Sequence, residues 1–195
     1  MKKDLELLYE IGTLKNVQRG WRQHLGMDVA NILEHSFRVM YLALILARME
    51  KVKNEEKIMK MVLVHDIAET RVSDLSYVQK SYVTADEERA AKEIFEGTIL
   101  QNLEQEVLKE YEERKSIEAK IVKDADNLDI DIELKELEWR GAVLSKKWPG
   151  FRKMVRDEKL YTKSAKKLWD AIQKSDPHDW HENINKWVRI PGAGK

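Results

Sequence analysis

The stretch Asn54–Thr70, NEEKIMKMVLVHDIAET, decides how this chain reads. At about 100° per residue, Ile58, Met61, His65 and Glu69 fall on one helical face, so an amphipathic helix carries an imidazole and a carboxylate one turn apart on its inward side. Asn54-Glu55-Glu56 supplies the start of that helix. One helix earlier the same arithmetic applies to His35. Val39, Leu42, Leu46 and Met49 lie within about 40° of it on the helical wheel, which points His35 into the protein. Asn31 and Glu34 form an Asn variant of the capping box where this helix begins.

A lone histidine on an apolar face is usually a core residue with a hydrogen-bond partner. Two on separate inward faces, the second followed by Asp66 and Glu69, leave more buried polar groups than an ordinary core satisfies, at about 1–3 kcal/mol for each unpaired one. A divalent metal ion satisfies them together. The acidic run Lys123–Asp131, KDADNLDID, offers a further carboxylate. Lys120, Asp124, Asn127, Asp131, Lys135 and Glu138 form a continuous polar stripe, which reads as a solvated face and places Asp124 in solvent. Asp126 shares its stripe with Val122, Ile130 and Leu137 and is aimed at packed protein. Asp129 flanks the apolar stripe of Ile121, Ala125, Leu128 and Ile132 and is the reserve candidate.

Helical periodicity runs through nearly the whole chain, punctuated by three prolines and eight glycines, so the fold class is all-α. Helices are expected near 4–14, 31–51, 55–70, 84–102, 104–114, 117–141, 150–157, 162–175 and 177–187. Thr84 and Glu87 read as a capping box for the fourth, and Asp176-Pro177 as a cap and a first-turn proline for the last. The charged segment 84–118 reads as a solvated face. The tail Pro191–Lys195 reads as frayed. A chain of 195 residues suits one domain with a sizeable core, divided here into residues 1–145 and a helical carboxy-terminal extension, 146–195, packed on the same domain.

Thirty-five Lys and Arg against 35 Asp and Glu leave no net field to draw the chain to nucleic acid or to an anionic membrane. Phosphate affinity must therefore be local. There is no cysteine, hence no disulfide and no thiolate ligand. Neither a signal-type start nor a run of about 18 apolar residues is present, so a cytoplasmic location is expected. His178 and His181, one turn apart, form a rival metal pair, although Asp176 and Pro177 explain that segment as a helix start. Trp148, Trp169, Trp180 and Trp187 are expected to pack the extension onto the core or onto a second subunit, which leaves a homodimer open.

The order His35, His65-Asp66, Ala125-Asp126-x-Leu128 resembles the HD-domain metal-dependent phosphohydrolases. More closely, the stretch from Leu7 to about Gly141 is similar to the HD-domain 5′-deoxynucleotidase family. Glu34-His35-Ser36, Val64-His65-Asp66-x-Ala68-Glu69, Ser73-Asp74-Leu75 and Val122-Lys123-x-Ala125-Asp126 carry the likeness. The resemblance implies a single HD-domain helical bundle in which His35, His65, Asp66 and Asp126 bind the metal while Glu69 and Asp74 serve the chemistry. It also implies a basic residue for the phosphate and a Trp against the sugar, in the loop before the first His. Trp21 falls where the family Trp would. Gly20 stands directly before it, so the nearest guanidiniums are Arg19 and Arg22, and Lys80 is a further phosphate candidate.

HD-type phosphodiesterases that hold two metals add histidines between the second and third motifs. Here no His lies between Asp66 and Asp126, which favours one ion. Two imidazoles and two carboxylates suit Mn, Co, Fe, Ni or Zn. The expected reaction is hydrolysis of a deoxynucleoside 5′-monophosphate by a metal-activated water. Two alternatives stand beside it. One is an HD hydrolase acting on a dNTP or another phosphate ester; the other is a non-catalytic helical interaction module, against which the intact set of four ligands speaks.

Overall fold

The computed structural model describes residues 1–182. The helices are α1 (Lys2–Gly12), α2 (Arg22–Leu25), α3 (Ile32–Met49), α4 (Glu55–Val64), α5 (Glu69–Val72), α6 (Glu87–Phe95), α7 (Lys109–Glu113), α8 (Ile117–Trp139), α9 (Pro149–Glu158), α10 (Lys163–Lys174) and α11 (Asp179–Glu182). Among the described residues the only β pairing is an isolated bridge between Gln18 and Asn31, so the fold is all-α. None of these helices is long and apolar enough to cross a membrane.

The core forms where α3, α4 and α8 meet, with Val39, Leu42 and Leu46 packed against Ile58, Met61, Ile121 and Leu128. Each such side chain contributes about 1.5–3 kcal/mol by leaving water. Caps fix where these helices start. Asn31 and Glu34 close a complete capping box at 3.0 Å in each direction, and Asn54 accepts from the Lys57 amide at 3.1 Å. Met49, expected inward, is exposed where α3 ends.

The helix expected over 55–70 breaks at Val64, and the break builds the site. His65 Nδ1 lies 2.7 Å from the Val62 carbonyl oxygen, the acceptor that a continuing helix would offer to the Asp66 amide. The chain tightens instead, with Ile67 N donating to Val64 O and Glu69 N to Asp66 O. The helix expected over 84–102 is also shorter. Asp86 rather than Thr84 caps it, accepting from the Arg89 amide at 3.1 Å, and the chain leaves the helix at Glu96 and Gly97. Gly97, with φ of 73°, is a stop signal of the usual kind. Asp176 accepts from the His178 amide at 2.8 Å and so forms a turn ahead of α11 rather than capping a helix from Pro177. Trp187 and Pro191–Lys195 lie outside the described residues.

The polar stripe of α8 is not a solvated face. Asp124 is fully buried and accepts from Tyr161 N at 2.7 Å, Thr162 N at 2.8 Å and Thr162 Oγ1 at 2.7 Å. Asp131 receives the Arg152 guanidinium through Nε at 3.0 Å and Nη2 at 2.6 Å. A polar stripe predicts water only where no other polar group covers it, and here α9 and the turn into α10 supply the donors.

Candidate functional site

Two imidazoles are held at Nδ1 and point Nε2 at a shared centre. His35 Nδ1 lies 2.6 Å from Asp129 Oδ2, and His65 Nδ1 is held by Val62 O. Such anchors fix a tautomer and aim the other ring nitrogen. His35 Nε2 stands 3.3 Å from Asp126 Oδ1 and 3.4 Å from Asp66 Oδ2, and His65 Nε2 stands 3.2 Å from Asp66 Oδ2. Neither Nε2 has a hydrogen-bond partner among the described residues, and both atoms are buried. One ligand atom each from His35, His65 and Asp126 lie within 4.8 Å of one another. With Asp66 beside both rings, two neutral imidazoles and two carboxylates balance a dication. The residues present therefore fit a divalent ion.

The local charges are arranged to the same end. Burial and the Arg19 charge oppose protonation of His35, but its contacts with Asp126, Asp129 and Asp66 outweigh them and hold it well above the ordinary imidazole range. Burial raises Asp66 and Asp126, yet both lie well below the usual carboxylate range. For Asp66 the His65 charge and the closeness of both imidazoles prevail; for Asp126 the Lys123 charge does, with His35. Lys123 Nζ sits 2.6 Å from Asp126 Oδ2, which leaves Oδ1 turned toward His35. Asp129, the reserve ligand candidate, stands behind His35 with Arg38 Nε 3.5 Å from its other oxygen.

Glu69 opens α5, one turn past His65. Burial, with the Asp66 and Asp74 charges adding to it, pushes Glu69 up to about 10. Its Oε2 is buried without a partner among the described residues. A dication at the His–Asp cluster would draw that value back down. Asp74 follows Ser73, whose φ of 62° turns the chain out of α5. Its Oδ2 accepts from the Gly20 amide at 3.1 Å.

The three basic candidates separate clearly. Arg19 is buried, with Nε 3.4 Å from Asp74 Oδ2 and Nη1 3.7 Å from Asp66 Oδ2. Arg22 pairs with the exposed Asp28 at 2.6 Å, and Lys80 is exposed on a short turn. Gly20 explains why the guanidinium comes from position 19. A Cβ there would meet Asp74 O at 2.5 Å and Ser76 N at 2.6 Å, so no side chain fits. Trp21 is buried against Trp148, with ring centroids 6.2 Å apart, and both line a cavity that also includes Arg19 and Asp74.

Sequence reasoning missed two kinds of residue. Lys123 supports a ligand, with only its nearness to Asp126 in the chain to hint at it, and Asp129, read from its apolar stripe as the reserve ligand, instead holds His35 at Nδ1. Tyr77, Trp148 and Phe151 reach the same cavity by tertiary packing, for which no local pattern exists. The rival pair His178 and His181 is engaged with aromatic rings. His178 stacks on Trp139 at 3.6 Å between centroids, with His181 edge-on at 6.0 Å.

The family model for the HD domain matches residues 11–175. The 5′-deoxynucleotidase HDDC2 of Danio rerio is 32% identical over 145 residues, covering 71% of this chain and 71% of that protein. Among solved structures, a conserved hypothetical protein from Pyrococcus furiosus superposes with a TM-score of 0.71 at 26% identity, covering 88% of this chain and 99% of that one. The PH0347 protein from Pyrococcus horikoshii OT3 gives 0.69 at 27%, covering 87% and 96%.

Proposed function

We propose that this chain, which belongs to the HD-domain family, is a metal-dependent phosphomonoesterase that removes the 5′-phosphate from deoxynucleoside 5′-monophosphates. The observation that carries the reading is the convergence of two buried Nε2 atoms, without hydrogen-bond partners among the described residues, with Asp66 and Asp126 beside a buried arginine. The substrate class comes from the similarity to the Danio rerio 5′-deoxynucleotidase.

His35, His65, Asp66 and Asp126 would hold one divalent ion, Mn, Co, Fe, Ni or Zn by its donor set. Such an ion, when bound, polarises a phosphoryl group and lowers the pKa of a water toward neutrality. The chain's own groups do the rest. Asp129 and the Val62 carbonyl keep the imidazole protons on Nδ1, and Lys123 keeps one oxygen of Asp126 turned away. Arg19 binds the phosphate oxygens, in a setting where exclusion of water strengthens charge attraction. Glu69 orients and deprotonates the attacking water, and Asp74 serves the leaving 5′-oxygen. Trp21 lies against the sugar, where its ring disfavours a 2′-hydroxyl.

In the proposal residues 1–145 are the phosphohydrolase domain and 146–195 its extension; the Arg152–Asp131 and Thr162–Asp124 contacts support packing of the described part of that extension on the domain. A cytoplasmic location is part of the same proposal.

The test is phosphate release from paired deoxy- and ribonucleotides with each metal in turn. Deoxynucleoside 5′-monophosphates should yield inorganic phosphate faster than the ribonucleotides, with 3′-monophosphates hardly cleaved. Triphosphate released from a dNTP would favour the alternative hydrolase. Glu69→Gln should keep its metal and lose about 10²–10⁴ in turnover. Near-native turnover would remove Glu69 from the mechanism.

A further inference from the structure

One cavity connects Arg19 and Asp74 to a set of aromatic rings. It has a volume of about 420 Å³ and is walled by Trp21, Tyr77, Trp148 and Phe151. The first two rings come from the loop that carries Arg19 and from the segment that follows Asp74. The other two come from the start of α9, where Pro149 sets the first turn and so fixes the direction in which Trp148 and Phe151 enter.

Other spaces around the site are unsuited to an aromatic heterocycle. The hollow of about 770 Å³ on the other side of Arg19 has no aromatic wall. The cavity of about 820 Å³ beyond His65 is lined by five glutamates against two lysines, a field that repels a phosphate dianion. In the aromatic cavity, by contrast, the neighbouring polar groups are largely spent. Arg152 is bound to Asp131 and to the Asn127 carbonyl, and Ser76 exchanges hydrogen bonds with Gln79. Trp21 Nε1, buried and without a partner among the described residues, and the exposed Tyr77 are the exceptions.

We propose that this cavity is the nucleobase subsite, and that α9 supplies half of it through Trp148 and Phe151. The proposal rests on the nucleotidase reading, because it takes Arg19 as the phosphate end of the ligand. Recognition here is by the faces of the rings, since few free groups are available to read base edges. Stacking is tolerant of base identity and grows with ring area, so purines bind better than pyrimidines.

The experiment compares kcat/KM for deoxyadenosine 5′-monophosphate, deoxycytidine 5′-monophosphate and the baseless deoxyribose 5-phosphate, in wild type and in Phe151→Ala. Phe151 is 56% exposed, which makes its truncation compatible with folding. Wild type should prefer the adenine nucleotide over the baseless phosphate by about tenfold or more, the size of one base–aromatic stack. The preference should reside in KM, and Phe151→Ala should lower it about fivefold, with Phe151→Tyr restoring it. A wild-type ratio near one, or a ratio unchanged in Phe151→Ala, would overturn the subsite while leaving the nucleotidase standing. Should none of the three be hydrolysed, the nucleotidase reading fails on its own, and calorimetric titration with deoxyadenosine decides the subsite. Binding that Phe151→Ala weakens supports it; no binding overturns it.

Discussion

Asp124 and Asp126 sit two residues apart on α8, about 200° apart around its axis, and both are buried. Their surroundings are opposite. Asp124 faces the turn into α10, where three donors from Tyr161 and Thr162 occupy its oxygens. Asp126 faces α3, where one oxygen is tied to Lys123 and the other looks at an imidazole nitrogen that has no hydrogen-bond partner among the described residues. Burial pushes Asp124 above the ordinary range against those donors, whereas Lys123 and His35 take Asp126 far below it despite its burial. Burial of an acid therefore does not mark a functional site. What separates the two is whether the protein itself completes the coordination of the carboxylate.

The sharpest way to break this contrast is to remove each acid in turn. Asp126→Ala should lose bound metal and bring phosphate release below detection, as should His65→Ala, because one of four anchors is gone. Metal analysis and a turnover assay on the purified variants check this, and normal values for both variants would sink the site. Asp124→Ala should retain metal and turnover per folded molecule. It leaves buried donors without an acceptor, so its unfolding free energy should fall by about 2–4 kcal/mol in denaturant titration. Metal loss from folded Asp124→Ala would mean that the two faces of α8 are not independent. Asp129→Asn probes the ground between them. It holds His35 without pointing at the centre itself, so metal affinity should drop by about 10–100-fold with the fold intact.

Much of this was legible in the residues because it is local. The cap at Asn31, the inward face of α3 and the burial of Asp126 all follow from spacing along one helix, whereas the solvent exposure that spacing assigns to Asp124 does not hold. Two things were not. The break after Val64 depends on an imidazole taking a carbonyl from its own helix, and the apolar period over Ile58, Met61 and His65 is the same with or without it. The burial of Asp124 and Asp131 depends on segments some 20–40 residues away, whose donors no periodicity announces. The resemblance placed Trp21 but left the guanidinium between Arg19 and Arg22. Packing at Gly20 is what brings Arg19 inward, and that packing partner, the Asp74–Ser76 backbone, belongs to another part of the chain.

That contact at Gly20 also governs positional error. Gly20, next to Arg19, and Asp74 are 54 residues apart, and between them lie α2, α3, α4 and α5. If their separation were inherited through those helices, every small shift in packing would accumulate in it. Backbone touching backbone, with one amide closing on a carboxylate, replaces that long chain of tolerances by a single stop. The guanidinium and the carboxylate are thus gauged against each other directly, and a displacement anywhere in the bundle carries both along as one piece.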